Sequence, residues 1–156
     1  MRTAKTPLAL ACSAALFFCL AAAPASAAGT VQISDTRYGG CLAVAGGSDI
    51  DRLPVVIDIC TPDMPDDKWR RPNSTITTYR NRFNDACLVT NGHHTQPNTS
   101  PCDGGTAQKW IRRNATTGVR LESARHRGWC IGRISGGAGV KGDAGLVPCA
   151  RATIWR

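Results

Sequence analysis

The chain has 156 residues, with 19 basic and 11 acidic side chains and a net charge of +8 at neutral pH. Its length suits a single domain, and the excess of basic residues favours acidic partners such as anionic glycans, nucleic acid or a lipid surface, although it can also serve solubility alone. Beyond the N-terminus no stretch is apolar enough for a membrane span.

The first 27 residues have the layout of a secretory signal peptide. Arg2 and Lys5 precede an uncharged apolar run over 8–23, and small residues follow at 25–27. This run is shorter than the roughly 20 residues that a membrane anchor needs. We therefore expect cleavage near Ala27 and a secreted product, extracellular or periplasmic, formed by residues 28–156 with a net charge of +6.

Six cysteines lie in this secreted part, and an even number in an exported chain indicates disulfides. A zinc site usually has cysteines two to four residues apart, whereas the closest pair here is separated by 15 residues, which argues against one. The six are Cys41, Cys60, Cys87, Cys102, Cys130 and Cys149.

The secreted part repeats itself three times, with boundaries expected at about 30–72, 73–115 and 116–156. In each unit a cysteine is followed by an aliphatic residue, a glycine-containing turn, a second cysteine and then a tryptophan. The tryptophans, Trp69, Trp110 and Trp155, are 41 and 45 residues apart. Since each unit has one early and one late cysteine, the repetition predicts the pairs Cys41–Cys60, Cys87–Cys102 and Cys130–Cys149.

Short strands are the predicted secondary structure, because β-branched and aromatic residues occur in brief runs bounded by Gly, Pro, Asn and Asp. Examples are the runs at 55–59, 76–79, 80–83 and 119–121. Helical repeats would need amphipathic helices, and propellers usually need at least four blades. Three disulfide-closed units fit a closed barrel with threefold pseudosymmetry better.

One motif suggests a family. Gln108-Lys109-Trp110 matches the Gln-x-Trp signature of ricin-type lectin repeats, and the residues at 67–69 and 153–155 resemble degenerate copies of it. The resemblance covers the whole secreted part. It implies an all-β fold, the β-trefoil, with six hairpins of which three close a barrel and three cap it. It also implies that the three signature tryptophans pack in the core.

The same resemblance implies a sugar site in each repeat, and this sequence departs from it three times. The family has an aspartate two residues after the first cysteine, where this chain has Ala43, Val89 and Gly132. The family also has an aromatic residue near the second cysteine, where this chain has Asp58, Ser100 and Val147 two residues before it. The usual pocket is therefore expected to be absent or rebuilt.

Two groups of residues could provide a rebuilt site. The second repeat is the most polar around its turn, so Asn91, His93 and Gln108 are candidate ligand contacts, although Asn91-Gly92 is itself a strong turn signal. A basic rim of Arg70, Arg71, Arg112 and Arg113 occupies matching places after two of the tryptophans. It could pair with sulfated or sialylated glycans, or simply form a solvated face.

The leading hypothesis is a non-enzymatic module that binds a glycan or glycoconjugate, and the basic charge makes anionic glycans candidates. The first alternative is the delivery subunit of a bacterial toxin, acting through a protein partner, since the ricin-like subunits of cytolethal distending toxins also lack most lectin site residues. The second is a β-trefoil protease inhibitor. We expect no catalytic residues, metal or cofactor, because no nucleophile elbow, zinc motif or phosphate loop is present. Specific nucleic-acid binding is not expected either.

Overall fold

The computed structural model describes residues 29–46, 51–136 and 141–156. The predicted signal peptide lies outside the described residues, as do Gly47 and Gly137 of the glycine turns. Among the described residues no helix has the length and apolarity needed to cross a membrane. Their regular structure comprises the strands β1 (Gly29–Gln32), β2 (Cys41–Val44), β3 (Val55–Asp58), β4 (Lys68–Arg71), β5 (Ile76–Thr77), β6 (Arg80–Asn81), β7 (Cys87–Val89), β8 (Asn98–Ser100), β9 (Trp110–Ala115), β10 (Gly118–Ser123), β11 (Trp129–Arg133) and β12 (Gly142–Pro148), and the 3-10 turns Thr106–Gln108 and Cys149–Arg151.

Six segments form a closed ring. Strand β1 pairs with β4, β4 with β6, β5 with β9 and β9 with β10, all antiparallel. Only Thr78 and Tyr79 separate β5 from β6 in the chain. Trp155 then bridges to Val119 on β10 and to Asp35 after β1. The ring is therefore a barrel whose first and last segments are joined, which removes the exposed edges that an open sheet would have.

Three hairpins form the second layer of the fold: β2–β3, β7–β8 and β11–β12. A disulfide closes each hairpin, with Cα–Cα distances of 5.0, 5.1 and 4.8 Å. The bonded pairs are those that the repetition predicts. A six-segment barrel with three hairpins across it has the parts of the predicted β-trefoil.

The three signature tryptophans join the two layers. Their indoles are fully buried in one apolar core that includes residues of every predicted repeat. Each indole nitrogen donates to the carbonyl of the residue after the first cysteine of its unit: Trp69 to Leu42 (2.7 Å), Trp110 to Leu88 (3.0 Å) and Trp155 to Ile131 (3.1 Å). Because a buried N–H without a partner costs about 1–3 kcal/mol, these bonds let the large side chains enter the core without a polar penalty.

Candidate functional site

The positions that the resemblance assigns to sugar binding are filled by packing. Ala43 and Gly132 are buried, and Val89 is half-buried. At Gly132 even a methyl group would lie 2.7 Å from the Cγ2 atom of Val147 and 3.2 Å from the Cα atom of Ala152. A carboxylate there would require the backbone to move, so the third unit has no pocket of the usual kind.

Gln108, proposed above as a ligand contact, needs correction. Its side chain is only 2% exposed. Its amide donates to the Pro101 carbonyl (2.7 Å) and accepts from the backbone N–H groups of Asp103 (3.0 Å) and Gly104 (3.3 Å). Both ends of the amide are therefore engaged, and Gln108 shapes the loop after the second disulfide instead of facing a ligand.

Asp67 has the same role in the first unit. Its carboxylate accepts from the backbone N–H of Thr61 at 2.7 Å and from the Gln32 amide at 2.9 Å, and it pairs with Lys68. Burial alone would raise the pKa of Asp67, but the hydrogen bonds from Lys68, Thr61 and Gln32 outweigh it and lower that pKa. The residue two positions before the tryptophan thus secures the loop after the second cysteine in both units.

The turn of the second repeat contains the other two candidates. Asn91 is exposed, but its amide donates to the Gln96 carbonyl at 2.8 Å and so stabilises the turn. The His93 ring stacks on Trp129 at 4.0 Å between ring centroids and meets His126 edge-on at 4.9 Å. The His94 ring stands edge-on to Trp129 at 4.9 Å. The structure thus brings three histidines of two different turns together around one tryptophan.

This histidine cluster (His93, His94, His126 and Trp129) is linked to the third hairpin. The backbone N–H of His94 donates to the Leu146 carbonyl at 2.8 Å, and His94 has a φ of 57°, in the left-handed region that non-glycine residues seldom adopt. Burial lowers the pKa of His126, and the positive charges of His93 and Arg125 lower it further. The cluster is therefore a contact between turns in which protonation of His126 is disfavoured.

The four arginines of the predicted basic rim divide into two pairs. Arg70 lies 3.5 Å from the carboxylate of Asp85, and Arg113 pairs with the buried carboxylate of Glu122. Arg71 and Arg112 instead line a cavity at the end of the barrel. The four guanidinium groups therefore do not form one continuous surface.

Glu122 binds two of the surface arginines. Besides Arg113, its carboxylate lies 3.2 Å from Arg127 and accepts from the backbone N–H of Gly128 at 2.9 Å. Burial would raise the pKa of Glu122, but Gly128 and the two arginines lower it. Arg113 and Arg127 are thus partly neutralised.

One concave surface is a cleft that the sequence analysis did not predict. Its volume is about 610 Å³, and four separate parts of the chain line it: residues 35–38, Arg120, residues 133–136 and residues 150–154. Arg133 pairs there with Asp35 at 3.1 Å, and both side chains are almost completely buried. This pair joins the first predicted repeat to the third and forms one wall of the cleft.

Three further arginines of this arginine cleft have no acidic partner among the described residues: Arg37, Arg120 and Arg151. The Nε atom of Arg120 is buried, and within the described ranges it has no hydrogen-bond partner. A buried donor that lacks a partner is costly. Arg120 also lines the cleft, where its positive charge would attract an oxyanion.

An aromatic side chain borders the same cleft. Tyr38 is 39% exposed, and the guanidinium groups of Arg37 and Arg133 lie 4.9 and 5.7 Å from its ring centroid. Guanidinium groups bind carboxylates and sulfates in a bidentate manner, and an exposed ring can pack on the apolar face of a sugar. Sequence reasoning missed this site because its arginines occupy non-equivalent positions, so no repeated spacing marks them.

The fold has known counterparts, all with low sequence identity. The designed threefold-symmetric protein ThreeFoil superposes with a TM-score of 0.72 at 15% identity, over 81% of this chain and 96% of that one. The Polyporus squamosus lectin, solved with the epitope Neu5Acα2-6Galβ1-4GlcNAc, gives 0.63 at 19% identity over 83% and 48%. The Haemophilus ducreyi cytolethal distending toxin gives 0.62 at 15% identity over 80% of both chains.

These likenesses confirm the predicted fold: the chain is a β-trefoil. At such identities they establish the architecture alone, because one fold serves many activities. No protein-family model matches the sequence, and no curated protein matches it significantly.

Proposed function

We propose that the protein is an extracellular, non-enzymatic module that binds an anionic glycan in the arginine cleft. The observation that supports this most directly is that Arg37, Arg120 and Arg151 line one cleft and have no acidic partner among the described residues. A sialic acid, uronic acid or sulfated sugar has both an oxyanion and an apolar ring face. The three guanidinium groups suit the first of these features, and Tyr38 suits the second.

The fold adds support without deciding the ligand. The Polyporus lectin was solved with a sialylated trisaccharide, which is an anionic ligand on the same architecture. The usual sugar positions of this chain are filled by Ala43 and Gly132, so a site elsewhere on the trefoil is needed. Three disulfides also suit a protein that acts outside the cell.

The test is a glycan array with matched pairs, each an anionic glycan and its neutral counterpart, read at physiological salt. We expect binding to the anionic members, a loss of at least tenfold on Arg151→Gln, and little change on Arg82→Gln. Arg82 is exposed and outside the cleft, so its variant makes the same change in net charge. Equal losses in both variants would show that the binding is unspecific attraction and would overturn the proposal.

A second candidate function is a delivery subunit that binds a protein partner. Ile59 and Met64, on one loop beside the first disulfide, are 50% and 58% exposed, as an interface residue would be before docking. The Haemophilus toxin has the same fold. If the array shows no glycan binding, this candidate becomes the better account, and Met64→Lys is expected to abolish the association with the partner.

A further inference from the structure

The open end of the barrel contains a second cavity, distinct from the arginine cleft. Its volume is about 220 Å³, and Arg71, Arg112 and Arg156 lie around it. Deeper inside, its walls are mainly apolar and include Val31, Val119, Leu121 and Trp155. We call this space the barrel-mouth cavity. It combines an apolar interior with a cationic entrance.

The arginines at this entrance are free to bind an anion. No ion pair among the described residues involves Arg71, Arg112 or Arg156. Their neighbours in sequence behave differently, since Arg70 pairs with Asp85 and Arg113 with Glu122. Alternate residues on β4 and β9 point to opposite sides of the barrel wall, so the charges at the cavity are not neutralised from outside.

One buried polar group also lines the cavity. Tyr79 lies between β5 and β6 and is only 2% exposed. Among the described residues no hydrogen bond from its hydroxyl is found, and the hydroxyl oxygen is not one of their fully buried polar atoms that lack a partner. Since Tyr79 lines the cavity, the hydroxyl can therefore donate to a ligand there.

The charge around Tyr79 favours an anionic acceptor. Burial raises the pKa of the Tyr79 hydroxyl, while the nearby positive charges of Arg112 and Arg71 act in the opposite direction. The net pKa is raised, so the group remains a protonated donor at neutral pH. Tyr79, Arg71 and Arg112 all line the same cavity.

We propose that the barrel-mouth cavity binds a small amphiphilic anion, a carboxylate or sulfate attached to a short apolar chain. The oxyanion would accept from Tyr79 and from the guanidinium groups of Arg71 and Arg112. The apolar chain would pack against Val119 and Leu121. Sites for drug-sized ligands usually measure roughly 300–1,000 Å³, so a cavity of 220 Å³ suits a short chain and excludes a long lipid.

Hexyl sulfate, used below its micelle concentration, is the probe for this site. Titration calorimetry with the full oxidised protein is expected to show one bound molecule. Hexyl glucoside has the same chain without charge, and methyl sulfate has the charged head without the chain. Both should bind at least tenfold more weakly, because each lacks one of the two features that the cavity recognises.

Variants locate the binding within the barrel. Arg112→Gln is expected to weaken hexyl sulfate binding about tenfold, and Tyr79→Phe should weaken it several-fold. Arg113→Gln is the matched control, since it removes a charge from the adjacent, outward-facing position, and it should leave the affinity unchanged. If Tyr79→Phe does not fold, Arg71→Gln is the second cavity variant, and it should also weaken hexyl sulfate binding. Equal effects of Arg112→Gln and Arg113→Gln, or equal binding of hexyl glucoside, would overturn the proposal.

Discussion

The indole nitrogen of Trp69 lies 2.7 Å from the carbonyl oxygen of Leu42, 27 positions earlier in the chain. This bond joins a barrel strand to the hairpin that packs across it, and both side chains are fully buried. Equivalent bonds form at Trp110 and Trp155. The signature tryptophan is therefore a link between the two layers of the fold, which is why it recurs in every unit although the sugar positions do not.

Trp69→Phe should test this link. Phenylalanine keeps the aromatic ring but leaves the buried Leu42 carbonyl without its donor, which costs about 1–3 kcal/mol. We expect the free energy of unfolding to fall by about that amount in urea titrations followed by circular dichroism. Trp129→Phe is the control, because Trp129 is only partly buried and its side chain shows ring contacts instead of a core hydrogen bond. Equal losses in both variants would contradict this role of the indole nitrogen.

The lowered pKa of Asp67 predicts that part of the free energy of unfolding is lost at low pH. The ionised carboxylate is favoured in the folded state, so its contribution is complete above the unfolded pKa of about 3.9 and is lost as the pH falls through the folded pKa. Asp67→Asn should therefore be less stable than the natural chain at pH 7, with a smaller difference near pH 2. Thermal unfolding at a series of pH values measures this, and Asp63→Asn, at an exposed position, is the control.

The histidine cluster predicts a second pH effect of the same sign, which begins at higher pH. The pKa of His126 is lowered by burial and by the charges of His93 and Arg125, so the folded state resists its protonation. Stability should be complete above the unfolded value of about 6.5 and decrease as the pH falls below it, until His126 is protonated in the folded state too. NMR titration of the imidazole protons should place His126 below 6.5.

His93→Gln provides the matched comparison for that titration. Removing the neighbouring imidazole, whose ring centroid lies 4.9 Å away, should raise the pKa of His126 towards its ordinary value. His94→Gln removes a ring that contacts Trp129 and should have a smaller effect. A pKa of His126 that does not respond to His93→Gln would mean that the two rings do not interact in solution.

The fold could be predicted from the sequence because its determinants recur. Cysteines and tryptophans at one period predicted the units, the disulfide pairs and the architecture. The strand lengths around residues 76–83 were harder to predict. The runs at 76–79 and 80–83 predicted two longer strands, whereas β5 and β6 have two residues each. Tyr79 lies between them with its side chain buried in the core. Local propensity does not reveal such a break, since the packing of one side chain decides it.

The candidate sites were predictable only in part, for a related reason. Arg71 and Arg112 were chosen for their matching positions, and they do line one cavity. Arg70 and Arg113 were chosen on the same grounds, but nearby acids pair with them. The cleft arginines are different: they lie together only because the closed barrel brings the first repeat against the third, as for Arg37, Arg120 and Arg151. The spacing of the repeats in the sequence does not show this contact.

Closure also has a consequence for how this protein is made. The backbone N–H and carbonyl of Arg156 bond to Ser34, 122 positions away in the chain, at 3.0 Å each. A ribosome releases the first strand long before the residues that complete its ring, so the ring can close only after Arg156 has emerged. Contacts this distant slow folding. The first strand is therefore expected to wait, without its last partner, while the rest of the barrel is being made.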